Sequence, residues 1–257
     1  MRTALLAFQS SLAHLQIHLA LTERIVAFGR GDPTAIADPD AAQLATAVRN
    51  TGSQVFQISF DGAVLSLAAS FEEFVTTLAE RCLDMLPGVI ARYEDLPVGI
   101  SDANVKYTGE VLTHATRYQH LDPAHLVANL NSCFAGGTPY RLNSQALSLL
   151  DRNPGPTVLQ EYLGERLGLK DLWNRISSCE TINEWGQART PNDTRAKAEA
   201  KLKEFMSDRN NIAHRGYGYQ TLGPSSIRAY VLYFEALAPA LVTTCEQHLS
   251  SLRIRTP

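Results

Sequence analysis

Residues 205–217 read Phe205-Met206-Ser207-Asp208-Arg209-Asn210-Asn211-Ile212-Ala213-His214-Arg215-Gly216-Tyr217. A charged amphipathic stretch from Asn192 leads into them, and the spacing predicts one helix running to His214 with Gly216 as its C-cap. On that helix Asn210 and His214 are four apart and nearly in line. Arg209 stands five before His214, about 140° round by the 3.6-residue period, and a long guanidinium can curl toward the same pocket. The pattern offers one titratable imidazole, one permanent cation and one amide beside a helix end. A purely structural reading stands beside it: a histidine in the last turn complements the negative end of the helix dipole, and a glycine caps it.

The flanks are helical too. Ile227, Tyr230, Val231, Phe234, Leu237, Leu241 and Leu249 predict a last helix over about Ser225 to Leu252, kinked or limited by Pro239. The strongest apolar stripe lies after Gly62: Val64, Leu67, Ala68, Phe71, Phe74, Val75, Leu78, Cys82 and Met85, stopped by Pro87-Gly88. Glu73 falls opposite that stripe, as a solvated charge. Glu72 lies at its edge, where a carboxylate needs a partner such as an arginine from another helix.

Leu5, Leu12, Leu15, Leu19 and Ile25 predict a first helix ending near Gly29 and Gly31. Asp38 and Pro39 read as N-cap and first residue of a second helix reaching Asn50. Val55, Ile58 and Phe60 read as a brief extended piece and residues 87–100 as a loop. From 101 to 190 come shorter helices broken at Asp122-Pro123, Gly136-Gly137, Pro154-Gly155-Pro156, Gly164 or Gly168, and Gly186 to Pro191. No βαβ alternation, GxGxxG or GxxxxGK[ST] is present. The expectation is one mainly α-helical domain over 1–257.

Composition narrows the function. Of 257 residues 45% are hydrophobic and 19% charged, which excludes wholesale disorder. The net charge of -3 disfavours a protein that coats long nucleic acids by bulk electrostatics, though not a local basic patch. Cys82, Cys133, Cys179 and Cys245 are widely spaced and form no CxxC pair. His14 and His18 share a helix face at a spacing metal sites use, but no third ligand accompanies them. No strictly apolar run is long enough to span a bilayer. Gln9, Ser10, Ser11, His14, Gln16 and His18 interrupt the apolar N-terminus, which therefore reads as a helix of a cytoplasmic protein and not a secretory signal.

Taken together, Arg209-Asn210-Asn211-Ile212-Ala213-His214 and the Phe71-Glu72-Glu73-Phe74 helix resemble the HEPN superfamily (higher eukaryotes and prokaryotes nucleotide-binding). Its signature is Arg, four to six residues, then His, often with a polar residue after the Arg. The branch this chain is most similar to is the one found beside prokaryotic RNA-processing, toxin–antitoxin and phage-defence genes. The resemblance covers a core at about 60–252 with an elaborated middle at 90–190, and leaves 1–59 as an N-terminal helical extension. It implies an all-α helical bundle, often a homodimer, needing no metal or cofactor. Many members are metal-independent ribonucleases; others are non-catalytic modules that bind RNA, a nucleotide or a protein. Tyr217 stands three residues after His214, where a related group carries a modified Tyr two after.

The chemistry that follows uses the nucleophile RNA already carries, its 2′-OH. His214 serves as base or acid because imidazole titrates near neutrality. Arg209 stabilises charge on the phosphate. Asn210 orients His214 or holds a phosphate oxygen, and Glu72 positions Arg209 by an ion pair. Lys203, Arg215 and Tyr217 are the candidates for holding RNA alongside. The products are a 2′,3′-cyclic phosphate and a 5′-OH. One histidine per chain leaves acid or base unassigned, and a two-fold dimer supplies the second. The expected partners are RNA, a second copy of the chain, and an antitoxin or defence-system protein.

Overall fold

The structure, a computed structural model, describes residues 1–51, 53–136, 139–215 and 222–254. Among the described residues there are eleven α-helices and no strand. Four long ones form the main bundle: α1 (Arg2–Arg30), α3 (Ser53–Val89), α10 (Pro191–Arg215) and α11 (Pro224–Ile254). Helix α3 runs antiparallel to α1, with Cys82 Sγ beside Met1 Sδ at one end and Ser59 Oγ 3.0 Å from His18 Nε2 at the other. Helix α11 also runs antiparallel to α1: Arg228 pairs with Glu23, and Gln16 Nε2 donates to Glu235 Oε1 over 2.9 Å.

One phenylalanine cluster ties the four together. Phe71 of α3 and Phe205 of α10 flank Phe234 of α11 with ring centroids 4.6 and 4.8 Å away. Phe8 of α1 stacks on Phe74 at 5.0 Å. These separations lie in the range aromatic pairs prefer, and Phe71, Phe205 and Phe234 are fully buried.

The remaining helices are shorter: α2 (Pro39–Asn50), α4 (Val98–Thr113), α5 (Pro123–Phe134), α6 (Ser144–Leu147), α7 (Pro156–Leu167), α8 (Leu172–Ile176) and α9 (Glu180–Gly186). Local chemistry sets their ends. Asp38 and Asp122 each accept an N-cap hydrogen bond from the residue two on, with Pro39 and Pro123 opening the helix. Gly168 ends α7 at φ +66°, a left-handed conformation that favours glycine. The middle is built partly on polar side chains. Buried Asn143 accepts from Asn129 Nδ2 at 2.9 Å, and its own amide donates to Thr108 Oγ1 at 3.0 Å.

Several local expectations are corrected. Val55, Ile58 and Phe60 are helical, because α3 starts at Ser53 and buries Phe60 in the bundle. Pro87 does not stop α3, which continues to Val89. A proline removes one donor, and Ile90 N still bonds to Leu86 O at 2.8 Å. Met85 is exposed, and Leu83 and Leu86 occupy the core in its place. Residues 93–95 form a 3₁₀ turn and α4 begins at Val98, so little of 87–100 is loop. Helix α11 runs past Pro239 to Ile254.

By length and composition α1 and the Val55–Val89 part of α3 suit a membrane span, although no strictly apolar run does. Both bury one face in the bundle, at Phe8, Leu12 and Leu19 of α1 and at Leu67, Phe71 and Leu78 of α3.

Candidate functional site

The buried stripe of α10 is Thr194, Ala198, Leu202 and Phe205. The next step of the helical period falls on Arg209, so the stripe that packs the bundle ends by aiming a guanidinium at α3. There it meets Glu72, with Arg209 Nη2 3.9 Å from Glu72 Oε1. Neither is sealed off: the side chains are 25% and 33% exposed. Arg209 Nη1 also lies 3.2 Å from the side-chain amide of Asn210.

A fourth side chain completes the cluster. Asn153 stands before Pro154, where an extended backbone is favoured. The hydrogen-bond network assigns its amide so that Nδ2 donates to Glu72 Oε1 at 3.1 Å and Oδ1 accepts from Arg209 Nη1 at 3.0 Å. The opposite orientation offers only a 2.9 Å bond to Asn210 Oδ1 and turns Asn153 oxygen toward the carboxylate. In the assigned orientation Asn153 Oδ1 lies 2.9 Å from the Asn210 amide, which turns with it and donates its nitrogen to Asn153 instead of accepting from Arg209. Two bonds between Asn153 and charged groups outweigh the one given up. The loop carrying Asn153 is pinned on α7, where Tyr162 OH donates to Ser148 O at 2.7 Å and Arg166 Nη2 to Leu149 O at 3.3 Å.

Partial burial pushes the Glu72 carboxyl above its ordinary range, and the Arg209 charge opposes that shift. A second carboxylate system sets the rotation of α10. Tyr230 of α11 donates to Asp208 Oδ2 and lies 3.0 Å from Glu204 Oε1. Burial and these acidic neighbours push its phenol far above the usual range. Tyr233, about one turn further along α11, donates its OH to Ala198 O over 2.9 Å. With α10 held at these points, Arg209 faces inward and residues about half a turn away face outward.

Glu72, Arg209 and Asn210 are thus brought together as the sequence led one to expect. His214 is not drawn into the same pocket within one chain. It is exposed in the last turn of α10, and among the described residues it makes no hydrogen bond or ion pair. Helical geometry is the reason: about 140° separates it from Arg209, and Arg209 reaches the other way, to Glu72. Lys203 is exposed on the same face as Asn210 and His214, seven and eleven residues before them. The backbone of Arg215 belongs to α10, but its side chain, with Gly216 and Tyr217, lies outside the described residues.

Much of the basic string around the site is spent locally. Arg195 pairs with Glu199 at 2.6 Å and Lys201 with Glu204 at 2.9 Å, while Lys197 Nζ caps α9 at Gly186 O, 2.8 Å away. Glu73 is exposed, as expected. Cys82, Cys133 and Cys245 are buried thiols and Cys179 is partly exposed. Among the described residues no group of three or more His, Cys, Asp or Glu is placed to hold a metal ion, and His18 faces Ser59. The residue that sequence reasoning missed is Asn153. Its Asn-Pro-Gly-Pro setting signals only a break between helices.

A half-buried guanidinium held by a carboxylate and an amide, about one turn from an exposed imidazole, is suited to a phosphate group and to proton transfer beside it. The family model for RiboL-PSP-HEPN matches residues 41–247, from within α2 to α11. No curated protein and no solved structure matches.

Proposed function

This chain belongs to the RiboL-PSP-HEPN family, within the HEPN superfamily, and on that premise we propose that it is a metal-independent endoribonuclease. The observation that carries the reading is the placement of Arg209. Glu72 and Asn153 hold it at the edge of the bundle, on the helix whose next turn exposes His214.

In this reading a phosphodiester docks on Arg209, whose planar fork suits phosphate oxygens. His214 takes the 2′-OH proton, and the attacking oxygen displaces the 5′ oxygen as the 2′,3′-cyclic phosphate forms. The leaving oxygen takes a proton from the His214 of a second copy, so the working unit is a two-fold dimer. Asn210, next to Arg209 in the chain and nearly in line with His214 on the helix, bridges the two functions. Lys203 continues the same face toward the RNA strand. Arg215 and Tyr217 remain the further candidates for RNA contact. The cellular role that goes with such an activity is a cytoplasmic toxin or phage-defence effector restrained by a partner protein.

The internal pairing of Arg209 favours a second reading, a non-catalytic HEPN module that binds RNA, a nucleotide or a protein. One experiment separates the two. A mixed RNA pool is incubated in excess EDTA with wild-type protein and with His214→Ala. The ribonuclease reading expects cyclic-phosphate ends and a loss of about a hundredfold or more in the variant. Intact wild-type protein that leaves the RNA uncut supports the binding module. Cleavage by a strictly monomeric species, followed by sedimentation, overturns the two-histidine scheme.

A further inference from the structure

Away from Arg209, α7 carries an arginine in an unusual state. Arg166 is 4% exposed, and its Nε and Nη1 have no hydrogen-bond partner among the described residues. Among the described residues its one hydrogen bond runs from Nη2 to Leu149 O. Nη2 carries two hydrogens, one on each edge of the guanidinium. With one used, and with Nε and Nη1 both free, one edge keeps two adjacent N–H groups unsatisfied. Leaving charged donors buried and unpaired is costly, and native structures place a reason beside such groups.

Arg166 lines a cavity of about 700 Å³ between α7, the 150–152 loop and Tyr107 of α4. The ring of Tyr107 lies over the guanidinium carbon at 3.3 Å, a cation–π stack that covers it. The hydroxyl of Tyr107 is held at the rim by Lys106 Nζ at 3.1 Å, an exposed contact. The rim is close to neutral. Arg152 pairs with Glu161 at 3.2 Å and lies 3.9 Å from Asp151, and Lys106 pairs with Glu165 at 2.7 Å. Lys170 and Asp171 complete the wall.

We propose that this cavity binds a small zwitterionic carboxylate of amino-acid type, its carboxylate on the free edge of Arg166 and its ammonium on the rim acids. The planar fork of Arg166 matches two coplanar carboxylate oxygens. Around the mouth Asp151, Glu161, Glu165 and Asp171 stand among Arg152, Lys106 and Lys170, and a rim of both signs with little net charge favours a ligand that brings both a negative and a positive end. Both free donors are closed to solvent in the resting chain, and in this proposal binding displaces the Tyr107 ring stacked over the face of the guanidinium.

The test uses the full chain and the Nε–Hε nitrogen resonances of its arginines, with the thermal midpoint as a second readout. Glycine, acetate, inorganic phosphate and chloride are titrated at matched ionic strength. The expected result is a saturable shift of one resonance, assigned to Arg166, with glycine most potent, acetate weaker and phosphate weaker still. Arg166→Met binds glycine at least about tenfold more weakly, having lost two charge-assisted hydrogen bonds. Tyr107→Ala binds it more tightly, because no ring has to move. If Arg166→Met does not fold, the wild-type resonance and Tyr107→Ala still decide the matter. An Arg166 resonance that responds to none of these, or equally to chloride, overturns the proposal, and so does weaker binding by folded Tyr107→Ala.

Discussion

From Ala198 to Met206, α10 is fastened by buried side chains and by the hydroxyls of Tyr230 and Tyr233; from Asn210 to His214, its side chains are half-buried or exposed. Arg209 sits at the join. The fastened part decides which way the guanidinium points, and the free part presents His214 to whatever approaches. A single helix thereby supplies a rigid cation and an accessible imidazole, which is the division of labour the proposed chemistry needs.

That contrast can be broken in steps. Phe205→Ala removes a fully buried ring at the centre of the fastened part and is expected to cost about 3 to 5 kcal/mol in urea denaturation. A much smaller loss means that α10 is held elsewhere. Tyr230→Phe deletes the hydroxyl that Asp208 and Glu204 share. It leaves two carboxylates facing a ring, and about 1 to 2 kcal/mol is the expected loss. Glu72→Gln tests the join itself. Burial raises this carboxyl, so the folded chain holds its proton more tightly than the unfolded one. Its contribution to stability is present below the ordinary carboxylate range and is lost as pH rises through the folded value. The variant is expected to flatten that decline when midpoints are compared over about pH 4 to 7. At the free end, His214→Ala is expected to change stability by less than about 0.5 kcal/mol, whatever it does to RNA. A larger change makes His214 a structural residue and removes the contrast.

The helical character of nearly every segment was legible because period and caps are local. The stripe of α3, the caps at Asp38 and Asp122 and the left-handed Gly168 are all written within a few residues. The short apolar run around Ile58 was not, since strand and helix look alike at that length and burial of Phe60 against the bundle settles it. The pairing of Glu72 with Arg209 was anticipated from a carboxylate at the edge of an apolar stripe. Asn153 was not, because it comes from a loop 57 residues before Asn210 and no local pattern links them.

By itself the sequence determined the all-α class and the family, because hydrophobic period and the Arg209-to-His214 spacing are properties of the chain written in order. Only the tertiary structure decided that Arg209 turns inward while His214 turns out. That outcome depends on how α10 is rotated against α3 and α11, and the rotation is set by packing at Phe205 and by hydrogen bonds to Tyr230 and Tyr233, contacts between residues that are neighbours in space alone.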